Sequence, residues 1–254
     1  MTRLNVLCIT LVALLLAPLV SSTASAETLN ISVAASLTDA TNELIAQFKA
    51  DGHDIQVLPN YGPSGALAKQ INEGAPTHLF ISANQKWMDF LREAKDIDPS
   101  TERVLVHNTL VFTGKQNAAI TKIEDITQLK QIAIGSPKSV PAGEYAQQAL
   151  EKVGIYQQLS DEKKLILAKD VRQALTYADR GEVDGAFVYK TDALLGKNAV
   201  ILFETPQELY QPVTYPIALT VAGAKDTEAK AFYELLVGDK GKAVFEKYGF
   251  TVEK

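Results

Sequence analysis

The sequence predicts an α/β fold in which mainly parallel sheets carry helices on both faces. Strand-like and helix-like segments alternate along most of the 254 residues, and no internal repeat is visible. Leu29, Ile31 and Val33 alternate with polar residues, a pattern that is typical of a strand. From Leu37 to Phe48, apolar residues then recur at the spacing of a helix face. The length allows either one large domain or two lobes.

The same two patterns predict the remaining elements in chain order. In the first part of the chain they predict strands at 55–57 and 79–81 and helices around 67–71 and 87–94. Buried strands are predicted next, at 110–112, 132–134, 165–167 and 186–188, with helices around 146–153 and 171–178 between them. The last predicted elements are a strand at 217–221 and helices around 229–236 and 243–248.

Residues 1–26 have the pattern of a secretory signal peptide. Arg3 supplies a positive charge, an apolar stretch follows, and Pro18 ends it. Small residues at 24–26 then precede the expected cleavage point before Glu27. The alternative is a membrane anchor, for which the apolar stretch is short, since a spanning helix needs about 20 residues. The sequence therefore predicts export, and Cys8, the only cysteine, is expected to leave with the leader.

The charge balance limits the classes of partner. The chain carries 25 basic and 30 acidic residues, a formal net charge of −5. Nucleic-acid-binding proteins favour basic surfaces, so no nucleic-acid partner is expected. An anionic ligand would not be attracted by the overall charge, and any anion site must therefore be local.

Small-molecule sites in such folds lie where strands end and helices begin. At the first of these turns, Ser36 would combine a hydroxyl with the free N–H groups of a helix start, which suit an anion. The alternative is that Ser36 only caps its helix, because Asp39 follows at the spacing of a capping box. The second turn carries Ser64 between two glycines, and a simple cap is again the alternative.

Three later turns offer further donors or charges. After Pro141, the N–H groups of Ala142 and Gly143 could face a ligand, although plain helix initiation is the alternative. In 169–172, Asp170 is the expected cap and Arg172 is expected to be a solvated surface residue. Tyr189 ends a buried strand and could donate a hydrogen bond, or could lie at the margin of the core.

The residues at these turns also make the sequence similar to a known family. It resembles the periplasmic molybdate-binding proteins of ABC-type uptake systems, whose motifs occur in the same order across nearly all of the mature chain. The matching segments are Ala34-Ala35-Ser36-Leu37-Thr38, Gly74-Ala75-Pro76, Leu79-Phe80-Ile81-Ser82-Ala83, Gln85-Lys86-Trp87-Met88, Val140-Pro141-Ala142-Gly143, Asp170-Val171-Arg172, Val188-Tyr189, Tyr215-Pro216 and Tyr248-Gly249-Phe250. Sulfate-binding and other oxyanion-binding relatives share parts of this set.

The resemblance implies two α/β lobes joined by two crossing segments, with the anion held between them. Lobe 1 would comprise residues 27–107 and 215–254, and lobe 2 residues 108–214. The implied ligand contacts are Ser36 and Ser64 in lobe 1 and Ala142, Val171 and Tyr189 in lobe 2, through hydroxyl and backbone N–H groups. Three departures stand out: Gly62-Pro63-Ser64-Gly65 replaces a run of serines, and His78 and Asn84 replace aspartates that are not expected to touch the ligand.

The resemblance further implies a binding protein without catalytic activity or a cofactor. It would act as a monomer in the periplasm, capture molybdate or tungstate, and deliver the ion to the permease of an ABC transporter. Molybdate at neutral pH has no proton to donate, so a matching site needs donors only. The alternative within the same class is another oxyanion such as sulfate, which is smaller and would be distinguished by the size of the cavity.

Other classes of function find little support in the residues. The three histidines, His53, His78 and His107, show no H-x-x-x-H spacing, and the chain has no G-x-S-x-G, P-loop or G-x-G-x-x-G motif. An enzyme is therefore not expected. A cation site would want clustered carboxylates, histidines or tyrosines, which the five implied contacts do not provide. A surface adhesive module would not need neutral donors at so many turns.

Overall fold

The computed structural model describes residues 28–253, so the predicted signal peptide and its cleavage point lie outside the described residues. The strands are β1 (Thr28–Ala34), β2 (Gln56–Gly62), β3 (Leu79–Ile81), β4 (Arg103–Asn108), β5 (Leu110–Gly114), β6 (Ile132–Gly135), β7 (Leu165–Ala168), β8 (Gly185–Tyr189), β9 (Val200–Glu204) and β10 (Val213–Leu219). The helices are α1 (Thr38–Ala50), α2 (Ser64–Asn72), α3 (Gln85–Ala94), α4 (Pro141–Lys152), α5 (Tyr156–Asp161), α6 (Val171–Asp179), α7 (Lys190–Ala193), α8 (Thr227–Val237) and α9 (Asp239–Lys247).

The strands form two five-stranded sheets with the same arrangement. The order is β2-β1-β3-β10-β4 in the first sheet and β7-β6-β8-β5-β9 in the second. In the first sheet, β10 is antiparallel to both of its neighbours, and β5 is antiparallel to both of its neighbours in the second. The other four strands of each sheet therefore share one direction, which confirms the predicted mainly parallel sheets.

The chain passes between the two sheets twice. Thr109 alone separates β4 from β5, and residues 205–212 lead from β9 back to β10. The first sheet therefore takes its strands from both ends of the described chain. Helices α8 and α9 also return to this side, where they pack against α1. Among residues 28–253, no helix combines the length and the apolar character that crossing a membrane would require.

Burial explains why the central strands were predictable. Leu29, Ile31 and Val33 of β1 are at most 1% exposed, and β1 pairs with a strand on each side. The edge strands differ. The predicted buried strand at 165–167 is β7, an edge strand whose Leu167 is 58% exposed, so the prediction of burial was wrong there.

Two predicted boundaries also shift. The strand predicted at 55–57 begins at Gln56 and continues to Gly62, through Pro59, which is tolerated because β2 lies at a sheet edge. The strand predicted at 217–221 is β10, which begins earlier and ends at Leu219. Strands β4 and β9 were not predicted, and both lie at sheet edges as well.

Candidate functional site

A small cavity lies between the two sheets, at the turns where strands lead into helices. It offers the centre of a water-sized probe only about 10 Å³ of room. A cavity of that size holds little more than one small polar molecule, so it suits only a compact ligand. All five predicted contacts line it, and each is at most 4% exposed. These residues are Ser36, Ser64, Ala142, Val171 and Tyr189.

Four backbone N–H groups at this cavity belong to the starts of helical segments. Ser64 is the first residue of α2, Val171 is the first of α6, Ala142 is the second of α4, and Ser36 lies in a single 3-10 turn before α1. Within the described part of the chain, none of these four N–H groups has a backbone or side-chain acceptor. Buried N–H groups without a partner are rare, so this set is arranged for a ligand that accepts hydrogen bonds.

The hydroxyl of Ser36 is oriented by a chain of hydrogen bonds. The Asn108 side-chain amide donates to the Tyr215 hydroxyl over 3.4 Å, and that hydroxyl lies 2.8 Å from Ser36 Oγ. Thr109 N–H fixes the amide by donating to Asn108 Oδ1. Either oxygen of this pair can be the donor. When Tyr215 donates to Ser36 Oγ, the proton of Ser36 is free for a ligand.

The capping role that was the alternative for Ser36 is wrong. The N-cap of α1 is Leu37, and no side chain caps that helix end. Ser64 does not cap α2 either, because Pro63 is the N-cap. Instead, Ser64 Oγ accepts the Ala83 N–H over 2.9 Å, which leaves the Ser64 proton available to the cavity.

Tyr189 supplies a third hydroxyl. Its ring is 1% exposed and packs edge-on against Tyr215, with ring centroids 5.8 Å apart. The Tyr189 hydroxyl has no hydrogen-bond partner among residues 28–253. Burial raises the pKa of Tyr189 well above its usual range, so the phenol stays neutral and keeps its proton. A place at the core margin, the alternative for this residue, is wrong.

Two residues beside the cavity are already engaged. The N–H of Gly143, a predicted candidate, donates to Val140 O over 3.0 Å, so that prediction was wrong. Asp170 is the one acidic residue among those lining the cavity. Its carboxylate accepts the Gln173 N–H over 2.8 Å, which confirms it as the cap of α6. The five predicted contacts therefore bring seven neutral donor groups to the cavity lining: four N–H groups and three hydroxyls.

Arg172 is not the solvated surface residue that was predicted. Its Nη2 donates to the Ser36 carbonyl oxygen over 3.0 Å and lies 2.8 Å from Asp39 Oδ2. Its Nε lies 2.6 Å from Asp192 Oδ1. The side chain is 27% exposed. Through these contacts it reaches from the second sheet's side of the cavity to the first.

Asp192 was missed because its neighbours in sequence give no sign of burial. It lies in α7 and is 0% exposed. Burial raises the pKa of Asp192 from 3.8 to about 6, which Arg172 opposes and the carboxylates of Asp39 and Asp170 reinforce. Within the described residues, no group of three or more His, Cys, Asp or Glu side chains could hold a metal ion.

We expect the substitution Asp192→Asn to change how the free energy of unfolding depends on pH. Because burial raises the pKa, the folded wild type binds more protons than the unfolded chain between about pH 4 and 6. Its free energy of unfolding therefore loses up to about 3 kcal/mol from this group as the pH rises through that window. Asparagine does not titrate, so the variant should gain stability relative to wild type over the same window.

Urea denaturation of both ligand-free proteins at half-unit pH steps measures this difference. A wild-type-to-variant difference that stays constant from pH 4 to 6 would contradict the raised pKa.

Further contacts join the two sides around the cavity. The Gly65 N–H donates to Ser139 O over 3.0 Å. Lys86 Nζ lies 3.0 Å from Glu144 Oε1, and the Asn84 amide donates to Glu144 Oε2 over 3.2 Å. As predicted, neither His78 nor Asn84 lines the cavity. The protein therefore adopts an arrangement in which both sides close over the donors.

Comparison with known proteins places this geometry in a family. Residues 29–251 match the sequence model of the bacterial extracellular solute-binding proteins. A substrate-binding lipoprotein ascribed to an ABC transporter of Bacillus subtilis is 40% identical over 228 residues, 89% of this chain and 87% of the relative. A molybdate-binding protein of Escherichia coli is 37% identical over 233 residues, 89% of each chain.

A solved structure gives the same result for the fold. The periplasmic molybdate-binding protein of Azotobacter vinelandii superposes with a TM-score of 0.80 at 23% identity, covering 89% of this chain and all of the other. The two-lobed α/β fold predicted from the sequence is thus confirmed. Because the family match and the two close relatives span nearly the whole described chain, the protein belongs to the bacterial extracellular solute-binding protein family.

Proposed function

We propose that the protein captures molybdate, and also tungstate, in the cavity between its two lobes and delivers the ion to an ABC transporter. The observation that carries this proposal is the set of seven neutral donors on five buried residues that line one small cavity. The relative from Escherichia coli is a molybdate-binding protein, which supports the same ligand. The role is one of binding, without catalysis or a cofactor.

The chemistry of the donors favours a fully ionised oxyanion. Neutral N–H and O–H dipoles can hold a buried anion when each of its oxygens is hydrogen-bonded. Phosphate is partly protonated at neutral pH and would gain from an acidic acceptor in its site. Asp170 is the acidic residue that lines the cavity, and one of its two carboxylate oxygens accepts the Gln173 N–H at the start of α6. Molybdate and tungstate need donors only and are close in size, whereas sulfate is smaller.

We assign residues 27–108 and 213–254 to lobe 1 and residues 109–212 to lobe 2, which moves the expected boundaries by one and two residues because Asn108 lies in β4 and Val213 and Thr214 lie in β10. The assignment is supported by the two passages of the chain between the sheets, at Thr109 and at residues 205–212. Binding would close the lobes by a hinge motion at these passages. The mature protein would act as a monomer in the periplasm, and its closed form would dock on the membrane permease.

Isothermal titration calorimetry on the mature protein tests the ligand. We expect one site per chain for molybdate and for tungstate with dissociation constants below micromolar, and at least about 100-fold weaker binding of sulfate and phosphate, since seven charge-assisted hydrogen bonds fit only the larger ion. Tight binding of sulfate together with weak binding of molybdate would instead establish the sulfate alternative. Absence of binding for all four oxyanions would overturn the proposal.

A further inference from the structure

We propose that Arg172 is a positioning residue that fastens the two lobes together in the ligand-bound state. It does so without touching the anion, by joining lobe 2 to Ser36 and Asp39 of lobe 1. This inference rests on the proposed function, because it assumes that the lobes close around an anion.

The first support is where Arg172 stands in the chain. It directly follows Val171, whose N–H faces the cavity, and both belong to the first turn of α6. From there its Nη2 reaches the carbonyl oxygen of Ser36 over 3.0 Å. The N–H and hydroxyl of that same serine are among the donors. One guanidinium therefore links two donor-bearing segments that belong to different lobes.

The second support is the ion pair inside lobe 2. Arg172 Nε lies 2.6 Å from Asp192 Oδ1, and Asp192 follows Tyr189 by less than one helical turn. The pair is a charge–charge contact, because Arg172 Nε and both Asp192 carboxylate oxygens have no hydrogen-bond partner within the described residues. Through this pair and the hydrogen bond to the Ser36 carbonyl, Arg172 links the segments that carry Ser36, Val171 and Tyr189.

The charges indicate a positional role rather than direct attraction of the ligand. Arg172 stands between two carboxylates, Asp39 at 2.8 Å and Asp192 at 2.6 Å, which balance its positive charge. Arg172 is not among the residues that line the cavity. Opening the lobes would separate Arg172 from Asp39 and from the Ser36 carbonyl. The pair with Asp192 lies within lobe 2 and would persist.

Because the contact with Asp39 is lost on opening and the pair with Asp192 persists, substitutions of Asp39 and Arg172 should have different effects. Asp39→Asn removes the contact between the lobes and one negative charge from the first turn of α1, so it should change ligand affinity and lower the ligand-free melting temperature only slightly. Arg172→Gln removes that contact and also leaves the buried Asp192 without its cation, so it should lower both. The two substitutions should be non-additive in affinity, because each removes the same contact.

The chain offers matched controls for both substitutions. Arg180→Gln makes the same change at the other end of α6, where the side chain is 70% exposed. Asp51→Asn removes a carboxylate at the end of α1 that pairs with Lys240 within lobe 1. Neither control residue lines the cavity or lies between the lobes.

Trp87 offers an optical measure of closure, because it is the only tryptophan and lies close to lobe 2. A Cβ atom built on Gly65 would meet the Trp87 ring at 2.5 Å and Ser139 Cα at 2.9 Å, so ring and lobe 2 approach the same point. Stopped-flow fluorescence can therefore follow association and dissociation of molybdate.

The experiment measures the molybdate dissociation constant, the dissociation rate and the ligand-free melting temperature for all six proteins: wild type, Asp39→Asn, Arg172→Gln, their double variant and the two controls. We expect Arg172→Gln to weaken binding about tenfold and Asp39→Asn about threefold, mainly through faster dissociation. The controls should match wild type. If wild type binds molybdate and Arg172→Gln binds as tightly as Arg180→Gln, this inference fails and the proposed function stands. If wild type binds no molybdate, the proposed function fails first.

Discussion

Replacing Ser36 by alanine is expected to weaken molybdate binding by about 1–3 kcal/mol, or roughly five- to 150-fold in the dissociation constant. The substitution removes a buried hydroxyl that lines the cavity and is held by a 2.8 Å hydrogen bond with Tyr215. A hydrogen bond to a doubly charged anion is charge-assisted, and the site is closed to water. Calorimetric titration of the variant with molybdate measures the loss.

Two further substitutions separate this effect from its alternatives. Ser160→Ala, at an exposed position of α5, controls for the loss of a hydroxyl as such. Tyr215→Phe keeps the Ser36 hydroxyl but removes the group that orients it, so it should weaken binding by less than Ser36→Ala. Wild-type affinity in Ser36→Ala would exclude this hydroxyl from the site, and the donor count would fall to six.

The sequence-based prediction of the fold succeeded where burial leaves a clear periodic pattern. The central strands β6 and β8 are buried along their whole length and are dense apolar segments, and β1 alternates buried apolar residues with Asn30 and Ser32. Strands β4 and β9 were missed: β4 mixes polar and apolar residues, whereas β9 is a short apolar edge strand, Val200–Glu204, of which only Phe203 is buried. The return of β10 to the first sheet depends on pairing with β3 and β4, which no local pattern encodes.

The position of the site was predictable because strand ends and helix starts converge at one edge of each sheet. The role of each residue at the site was harder to predict from the sequence. A serine that caps a helix and a serine that binds a ligand have the same local spacing. Capping is distinguished from ligand binding by the hydrogen bond of Ser36 with Tyr215 and by that of Ser64 with the Ala83 N–H. Both partners are remote in sequence. The choice between capping and ligand binding therefore required the positions of those partners in the fold.

Arg172 shows the same limit for a charged residue. Locally it is a basic residue after a helix cap, a place where most arginines are solvated. Its surroundings are set instead by Asp192, by Asp39 and by the Ser36 carbonyl, which only the three-dimensional arrangement brings together. A local sequence pattern predicts which face of its helix or strand a residue occupies, but not which residues remote in sequence it contacts.

The substitution Gly143→Ala is expected to cost about 3 kcal/mol or more in the free energy of unfolding. A Cβ atom on Gly143 would lie 1.8 Å from the carbonyl oxygen of Gly135 and 2.4 Å from its carbonyl carbon. Both are backbone atoms of β6, so they cannot turn aside as a flexible side chain would. The start of α4 would have to move off the sheet, taking the Ala142 N–H out of the site and weakening molybdate binding as well.

The direction of the change in the free energy of unfolding separates a steric clash from an effect of helix propensity. Gly143 lies within α4, where alanine is ordinarily the better helix former by about 0.5–1 kcal/mol, so helix propensity alone predicts that the variant is more stable. Gly62→Ala is the matched control, because neither glycine has a positive φ and a Cβ there would meet only the Leu67 side chain, at an ordinary 3.4 Å. That control should change stability by less than about 1 kcal/mol. Urea denaturation of the two ligand-free variants decides the question: if Gly143→Ala proves as stable as Gly62→Ala, the close approach of α4 to β6 is not what positions this wall of the site.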